Sequence, residues 1–230
     1  MQDYIKQLIA GGESQTLDFK FEISDFRKIA RTLVAFANTD GGRLLVGIKD
    51  NGAVAGVRSD EEYFMIEGAA SLYCKPEVKF TVKEWQFDRR KVLEVLISRG
   101  KDRPYMALDE DGRWIAYIRQ DDQNFKASRI ALKVWEKQRS AGPLTIRFRQ
   151  GERFLLSYLE EKGHLTLSKY RRQAGLTLFE AETILTGFCL LGIIKIEYSS
   201  SQVQFSLNEG YQEILEGIAR KLDDKGIGSH

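Results

Sequence analysis

Residues 35–42 read Ala-Phe-Ala-Asn-Thr-Asp-Gly-Gly and separate two segments of different character. Before this stretch, apolar side chains recur at helical spacing from Phe26 to Ala37, with Ser24 available as an N-cap, so a helix is predicted. After it, Leu44 to Ile48 is a short apolar run typical of a buried strand. The two glycines therefore predict a tight helix-to-strand turn at a place where a side chain would clash.

Another strand is predicted before that helix, at residues 17–21. Its side chains alternate between two faces of a sheet, so Asp18 and Lys20 are expected to share one exposed face. The buried face is expected to carry Leu17, Phe19 and Phe21. A charged pair on one strand face is a candidate functional site.

Turn signals divide the following residues into hairpins. Asn51-Gly52 favours a two-residue hairpin turn, which places Asp50 at a strand end. A second hairpin is predicted to turn at residues 88–90, which places Arg89 and Arg90 at an exposed tip.

Residues 139–143, Arg-Ser-Ala-Gly-Pro, break both the helical and the strand patterns. We expect a first domain over residues 1–138, a linker over 139–145 and a second domain over 146–225. In the second domain, three predicted helices precede two strands, which is the order of a winged helix-turn-helix. The predicted fold class is α+β: a mixed sheet with helices, followed by a small winged helix-turn-helix-like domain.

The third helix of this second domain is poorly suited to reading DNA. In a winged helix that reads DNA, it offers basic and amide side chains to the major groove. Here, residues 177–191 carry Glu180 and Glu182 and no lysine or arginine. We therefore expect a dimerisation or partner-docking role for the second domain, and we expect its last helix to be a packing or dimerisation face.

Composition excludes several classes of protein. The chain has 230 residues and is 43% hydrophobic, which is enough to bury a core. The two cysteines, Cys74 and Cys189, lie far apart in apolar segments, so with only two histidines no cysteine/histidine zinc pattern is present, and neither histidine is placed for Ser-His-Asp chemistry. No apolar run reaches the roughly 20 residues of a membrane helix, and polar residues follow Met1. A soluble, cytoplasmic protein without a membrane partner is expected.

Three motifs in fixed order carry a family resemblance. They are Glu13-Ser14-Gln15-Thr16-Leu17-Asp18-Phe19-Lys20, the block at residues 35–42, and Leu45-Val46-Gly47-Ile48-Lys49-Asp50-Asn51-Gly52. In order and spacing, they resemble the Schlafen-type AlbA-like domain. Tyr117-Ile118-Arg119 and Ala127-Ser128 resemble its end, so the resemblance spans residues 1 to 135. It implies a nucleic-acid-binding fold.

The resemblance also implies a candidate metal and catalytic site. In some family members, three acidic residues bind a divalent ion and cleave RNA, and these positions correspond to Glu13, Asp18 and Asp50. Carboxylate oxygens bind Mg²⁺ or Mn²⁺, and the bound ion can activate water. Lys20 is placed to steady the scissile phosphate or the attacking water. Two departures weaken the inference: Asp18 stands where glutamate is usual, and Lys49 stands where another acid is common.

Basic side chains supply the candidate phosphate contacts. Because the net charge is only +2, their clustering is more informative than their number. Each phosphate contact would release counterions and make the affinity fall with salt. Tyr105 and Trp114 lie among them and could stack on unpaired bases, although strand alternation favours burial of Trp114. The nucleic-acid-binding candidates are Lys20, Arg89, Arg90, Lys101, Arg103 and Arg119.

The leading hypothesis is a nucleic-acid-binding protein, for DNA or RNA, that regulates transcription and grips the phosphate backbone through its first domain. No cofactor is required for binding. A homodimer is expected, because family members in eukaryotes pair two such lobes into a groove and this chain has one. Two alternatives stay open: a Mn- or Mg-dependent ribonuclease that uses the acidic trio, and a protein-protein interaction module without nucleic-acid affinity.

Overall fold

The computed structural model describes residues 2–87, 89–140 and 149–223. They form a mixed structure of helices and sheets, which confirms the predicted α+β class. The chain divides into two compact units, Met1–Ala127 and Ser128–His230. Within the described ranges, no helix is both long and apolar enough to cross a membrane.

The described residues of the first unit form three helices and eight strands. The helices are α1 (Gln2–Gly11), α2 (Phe26–Asn38) and α3 (Glu61–Leu72). The strands are β1 (Leu17–Lys20), β2 (Gly42–Val46), β3 (Cys74–Lys75), β4 (Phe80–Phe87), β5 (Arg90–Ile97), β6 (Met106–Leu108), β7 (Trp114–Gln120) and β8 (Gln123–Lys126).

These strands form two four-stranded sheets. The first has the order β1-β2-β5-β4, with β1 parallel to β2 and the other neighbours antiparallel. The carboxyl ends of β1 and β2 therefore lie at the same edge, at the end where β5 begins. The second sheet has the order β3-β6-β7-β8 and is antiparallel.

Helices cover both faces of the first sheet. Alternation along β2 sends Leu44 to the face covered by α2 and α3, and Leu45 to the face where Ile5 of α1 packs. Helix α2 also contacts β7 of the second sheet. Its N-cap is Asp25 and not the predicted Ser24, because the Asp25 carboxylate accepts hydrogen bonds from two backbone amides of the first turn.

The described residues of the second unit form five helices and three strands. The helices are α4 (Arg129–Ser140), α5 (Gln150–Lys162), α6 (Leu167–Gln173), α7 (Leu178–Leu190) and α8 (Tyr211–Asp223). The strands are β9 (His164–Leu165), β10 (Ile194–Tyr198) and β11 (Val203–Leu207), in the antiparallel order β10-β11-β9.

The division between the units lies before α4. Ile130 of α4 is buried in the apolar core of the second unit. The sequence-based expectation, a first domain over residues 1–138, groups this helix with the first unit. Helical periodicity shows which face of a helix is apolar, but not which domain covers it. Of the expected linker, residues 139–140 lie in α4, and residues 141–145 lie outside the described residues.

The last helix packs on its own unit. Ile214 and Ile218 of α8 are half-buried against the same core as Ile130. Of the two roles predicted for this apolar stripe, the structure therefore shows packing within the unit.

Candidate nucleic-acid interface

The turn after α2 is a structural joint. Asn38 is buried, and its side-chain amide donates hydrogen bonds to the carbonyl oxygens of Tyr105 (2.7 Å) and Tyr117 (2.8 Å). Its Oδ1 accepts the backbone N–H of Tyr105 at 2.7 Å. The hydroxyl of Thr39 accepts the backbone N–H of Arg119 at 2.9 Å. These bonds fasten the end of α2 to β7 and to the loop before β6.

The two glycines allow close backbone approach at this joint. Gly41 has a φ of +75°, and a Cβ at this position would lie 2.7 Å from the carbonyl oxygen of Ile97. A Cβ on Gly42 would lie 2.4 Å from the ring of Phe36. The predicted reason for the glycines, a turn where a side chain would clash, is confirmed.

Arg119 is buried at the same joint. Its side chain has 0% exposure, its Nε donates to the carbonyl oxygen of Ser14 at 2.9 Å, and its Nη2 donates to that of Leu17 at 3.0 Å. Nη2 also lies 3.2 Å from Oδ1 of Asp18. The predicted phosphate contact by Arg119 is therefore wrong, because its donors are used inside the protein. Strand alternation cannot distinguish a buried, fully bonded arginine from an exposed one.

Asp18 is also buried, although alternation along β1 predicted an exposed pair with Lys20. The Nζ of Lys20 lies 2.6 Å from Oδ2 of Asp18, and the lysine side chain is 34% exposed. The arginine from β7 covers this face of β1, so only the lysine reaches solvent. The sequence of β1 alone could not show which strand covers it.

Glu13 lies beside this buried pair. Its Oε1 accepts the backbone N–H of Phe19 at 2.8 Å. Burial raises the pKa of Glu13, and the nearby carboxylate of Asp18 acts in the same direction, whereas the hydrogen bond from Phe19 and the charges of Lys20 and Arg119 oppose the rise. The structure thus brings Glu13, Asp18 and Lys20 together as a charged network.

The acidic trio does not form a set of metal ligands. Both oxygens of Asp18 face cations, Glu13 is bonded to backbone, and Asp50 is exposed in the turn after β2. Among the residues that the structure describes, no three His, Cys, Asp or Glu side chains are grouped to hold a metal ion. In this arrangement, Glu13, Asp18 and Asp50 do not fit a divalent cation.

Strand β5 separates the predicted phosphate contacts into two groups. Arg89 and Arg90 lie where β5 begins, and both are exposed, whereas Lys101 and Arg103 follow the end of β5. Eight residues of strand span about 25 Å, so these groups lie at opposite ends of the sheet. Burial, together with the neighbouring Arg99, lowers the pKa of Arg103.

The carboxyl ends of β1 and β2 carry basic side chains around one exposed ring. Phe21 directly follows β1, and its side chain is 37% exposed. The Nζ of Lys49 lies 5.5 Å from the ring centre of Phe21, and the Cζ of Arg58 lies 6.0 Å from it. The guanidinium of Arg90 donates a hydrogen bond to the carbonyl oxygen of Val54. We call the following residues the basic edge: Lys20, Phe21, Lys49, Arg58, Arg89 and Arg90.

Four of these cations have no acidic partner among the described residues. In the described part of the chain, neither Lys49 nor Arg58 forms an ion pair with a carboxylate, and the same holds for Arg89 and Arg90. Their neighbour Lys91, by contrast, pairs with Asp60 and Glu84. Within the part of the chain that the structure describes, the basic edge therefore carries positive charge that no carboxylate neutralises.

Backbone hydrogen bonds hold the basic edge in place. The N–H of Gly47 donates to the carbonyl oxygen of Lys20 at 2.8 Å, and the N–H of Gly56 donates to that of Gly47 at 2.9 Å. The N–H of Val57 donates to the carbonyl oxygen of Lys91 at 2.7 Å. The segment that carries Lys49 and Arg58 is thus fixed to the ends of β1, β2 and β5.

The sequence predicts only half of this edge. Lys20, Arg89 and Arg90 are predicted phosphate contacts, whereas Phe21 is predicted to be buried and Lys49 has no predicted binding role. Strand β1 ends at Lys20, so the alternation that buries Phe19 does not extend to Phe21. A usable signal was the hairpin turn at Asn51-Gly52, because a hairpin returns the chain and brings the residues on its two sides together.

Of the two aromatic candidates from the sequence, Trp114 lies in β7 of the second sheet, and Tyr105 lies in the loop before β6. Trp114 is 38% exposed, so the predicted burial of this side chain is wrong, and the Nζ of Lys75 lies 5.9 Å from its ring centre. It is the first residue of β7, where neighbouring strands cover less of its side chain. Tyr105 is half-buried, and its ring packs close to Gly100.

Helix α7 of the second unit is largely covered. Its buried residues include Ala181, Leu185 and Phe188, which face the core. On another side, the buried carboxylate of Glu182 pairs with Arg129 and Lys133 of α4. The helix that would enter the major groove in a DNA-reading winged helix is therefore occupied by contacts within the unit.

A groove lies at the start of α5 in the same unit. Its volume is about 630 Å³, and Arg149, Arg153, Phe154 and Tyr158 are among the residues that line it. The Nζ of Lys169 lies 5.2 Å from the ring centre of Tyr158.

Fold and site together define the class of the first unit, an α+β domain with a parallel strand pair that presents a cationic edge. The family model of Schlafen, AlbA_2 matches residues 13–128, which is half of the chain. The chain belongs to this family, and the predicted resemblance is confirmed. Membership points to a role in nucleic-acid binding.

Two solved structures are similar to parts of the chain. The DIP2311 protein from Corynebacterium diphtheriae is 17% identical with a TM-score of 0.41, and the match covers 70% of this chain and 40% of that one. The N-terminal domain of a RecG-related protein from Nitrosomonas europaea is 24% identical with a TM-score of 0.35, covering 55% and 94%. The chain thus spans less than half the length of the first of these proteins. No curated protein matches the chain.

Proposed function

We propose that this protein binds nucleic acid through the basic edge and acts as a regulator of transcription. The observation that carries the proposal is the pair Lys49 and Arg58, which lie within about 6 Å of one exposed ring without an acidic partner in the described part of the chain. Like charges held near each other repel, so an anion that binds between them is stabilised. A phosphate backbone supplies such anions at regular spacing.

The fixed backbone of the edge supports the same proposal. Because the segment with Lys49 and Arg58 is bonded to three strand ends, binding does not have to order a mobile loop. A preorganised site loses less conformational entropy on binding than a flexible one. Lys20, Arg89 and Arg90 lie along the same edge and provide further cations for phosphate contacts.

For the second unit we propose a winged-helix-like fold that organises a homodimer. The order helix, short strand, two helices and hairpin supports the fold, and the coverage of α7 argues against DNA reading by that helix. Leu178 and Phe179 at the start of α7 are exposed apolar side chains, at 39% and 73%. They suit an isologous contact with a second copy. A monomeric mass by light scattering at tens of micromolar protein would count against the dimer.

The proposal is tested by fluorescence anisotropy of the full chain with labelled transfer RNA, single-stranded DNA and duplex DNA. Each sample is then incubated with manganese and run on a denaturing gel. We expect binding that weakens with salt, without cleavage. The variant Lys49→Ala/Arg58→Ala should lower the affinity about five- to thirty-fold, because exposed charge contacts contribute about 0.5–1 kcal/mol each.

The same experiment separates the two alternatives. Manganese-dependent fragments that disappear in Glu13→Gln would support the ribonuclease. A protein that binds none of the three polymers at low salt would be an interaction module, and the proposed function would then be wrong.

A further inference from the structure

We propose that Phe21 stacks on an unpaired base, so that the basic edge selects single-stranded nucleic acid over duplex. This inference rests on the proposed function and names the class of polymer that the same site binds. It starts from the position of one apolar side chain that lies outside the buried clusters of the described residues.

Phe21 lies outside the packed interior of the first unit. Its alternation partners on β1, Leu17 and Phe19, are 6% and 1% exposed and belong to the apolar cluster under α1. Phe21 is 37% exposed and belongs to none of the three buried clusters of the described residues. The ring therefore contributes little to the core, while its exposed apolar surface stays in contact with water.

The surroundings of the ring match the chemistry of a stacking site. Proteins that bind single strands combine an aromatic ring, on which a base stacks, with cations that follow the phosphates. Here, Lys49 and Arg58 lie within cation–π distance of Phe21, and both side chains are exposed. Exposed cation–π contacts are weak, so a base can take one face of the ring while either cation moves to a neighbouring phosphate.

A duplex cannot use this ring in the same way. Its bases are already stacked on each other, and exposing one of them requires unpairing and unstacking. Duplex phosphates can still reach the cations of the basic edge. Removal of the ring should therefore change single-strand binding and leave duplex binding nearly unchanged.

Trp114 provides a matched control in the same unit. It is 38% exposed and has one lysine, Lys75, 5.9 Å from its ring centre, so both exposure and cation–π contact resemble those of Phe21. It lies in the second sheet, away from the carboxyl ends of β1 and β2. If any exposed aromatic ring sufficed for stacking, Trp114→Ala would have the same effect as Phe21→Ala.

The test measures anisotropy of labelled oligothymidylate, oligouridylate and a DNA duplex with the full-length protein. We expect Phe21→Ala and Phe21→Leu to weaken binding of the single strands about ten-fold, the size expected for one lost stacked base, and to change duplex binding less than about two-fold. Phe21→Trp should keep the parent affinity, because it keeps a π-face. Trp114→Ala should bind as the parent does, and the two oligonucleotides show whether DNA or RNA is preferred.

Three results would overturn the inference. If Phe21→Leu binds single strands as the parent does, the aromatic ring is not required. If Phe21→Ala weakens single-strand and duplex binding equally, Phe21 supports the edge without stacking, and the proposed function stands alone. If the parent binds neither polymer at low salt, the proposed function fails together with the inference.

Discussion

The buried side chain of Arg119 joins β7 to β1 through two carbonyl oxygens and the carboxylate of Asp18. Basic residues near the end of a strand favour a phosphate contact, yet its guanidinium is fully buried between Asp18 and two carbonyl oxygens. The sequence shows that this side chain is positively charged, but it does not show whether the side chain is exposed. Exposure depended on β1 and β7 meeting across more than 90 residues of chain, which local patterns do not report.

Replacement of Arg119 by lysine should lower stability instead of affinity. A lysine has one ammonium group and cannot reproduce the fork of donors that reaches Ser14, Leu17 and Asp18. We expect a loss of about 2–4 kcal/mol in the free energy of unfolding, measured by urea denaturation. The control Arg220→Lys changes an exposed i,i+4 pair and should cost less than about 0.5 kcal/mol. Weakened binding by Arg119→Lys at parent stability would contradict this account.

Glu13 should make stability depend on pH in an unusual direction. Burial raises the pKa of Glu13 above the ordinary value of 4.5. At a pH between the ordinary pKa and the raised pKa, the folded protein holds a proton that the unfolded chain has released. Linkage then makes the free energy of unfolding fall as pH rises through this window. Glu13→Gln keeps an acceptor for the Phe19 amide and removes the charge.

The glutamine variant should therefore be more stable than the parent near neutral pH and lose this advantage below the ordinary carboxyl pKa. Urea denaturation at both pH values checks the prediction. An equal difference at the two pH values would show that the charge of Glu13 does not limit stability.

At the scale of elements, the joint between α2 and β2 was predictable because its rule is local. Apolar periodicity, a polar end and two glycines are enough to predict a helix, a turn and a strand. The hydrogen bonds of Asn38 to Tyr105 and Tyr117 were not predictable, because they join α2 to segments far along the chain. The helix, turn and strand of this motif can thus be predicted from local sequence, but its role as a joint depends on the tertiary fold.

Two glycines with the same φ test the strength of this joint. Gly41 and Gly112 both have a φ of +75°, but a Cβ at Gly41 would meet backbone at 2.7 Å, whereas nothing lies within 4 Å of a Cβ at Gly112. We expect Gly112→Ala to cost about 1–2 kcal/mol from the left-handed backbone alone. Gly41→Ala should cost about 3 kcal/mol or more, because the steric clash adds to the same term. Equal losses in urea denaturation would show that the close approach at Gly41 is easily relaxed.

The bounds of β5 and β1 place several residues differently from the sequence-based prediction. The basic residues from Arg89 to Arg103 form one cluster in the sequence. In the structure, β5 lies between Arg89 and Arg103 and places them at opposite ends of the strand. Strand β1 stops at Lys20, which leaves Phe21 outside the alternation. In both cases the exact bounds of a strand decide the site, and bounds are the part of a strand that sequence patterns define least well.

At the scale of the whole molecule, family and fold class could be predicted, while the site could be predicted only in part. The motifs in residues 13–52 fix the family because they build the joint and the start of the sheet. The basic edge lies at the carboxyl ends of two parallel strands. Lys49 and Arg58 lie on the two sides of the hairpin turn that Asn51-Gly52 predicts, and both belong to this edge. Among the described residues, Glu13, Asp18 and Asp50 are not grouped to hold a metal ion, and the carboxylate of Asp18 pairs with Arg119 and Lys20.

The central claim is that the basic edge contacts phosphates, and its most direct test is the salt dependence of single-strand binding. The double variant Lys49→Ala/Arg58→Ala is compared with Arg99→Ala/Lys101→Ala, which removes the same charge beyond the other end of β5. We predict that the slope of log affinity against log salt becomes shallower by about 1.4 for the edge variant, because each phosphate contact on a single strand contributes about 0.7. The Arg99 and Lys101 variant should keep the parent slope. A parent slope in the edge variant, or an equal change in both variants, would contradict the account.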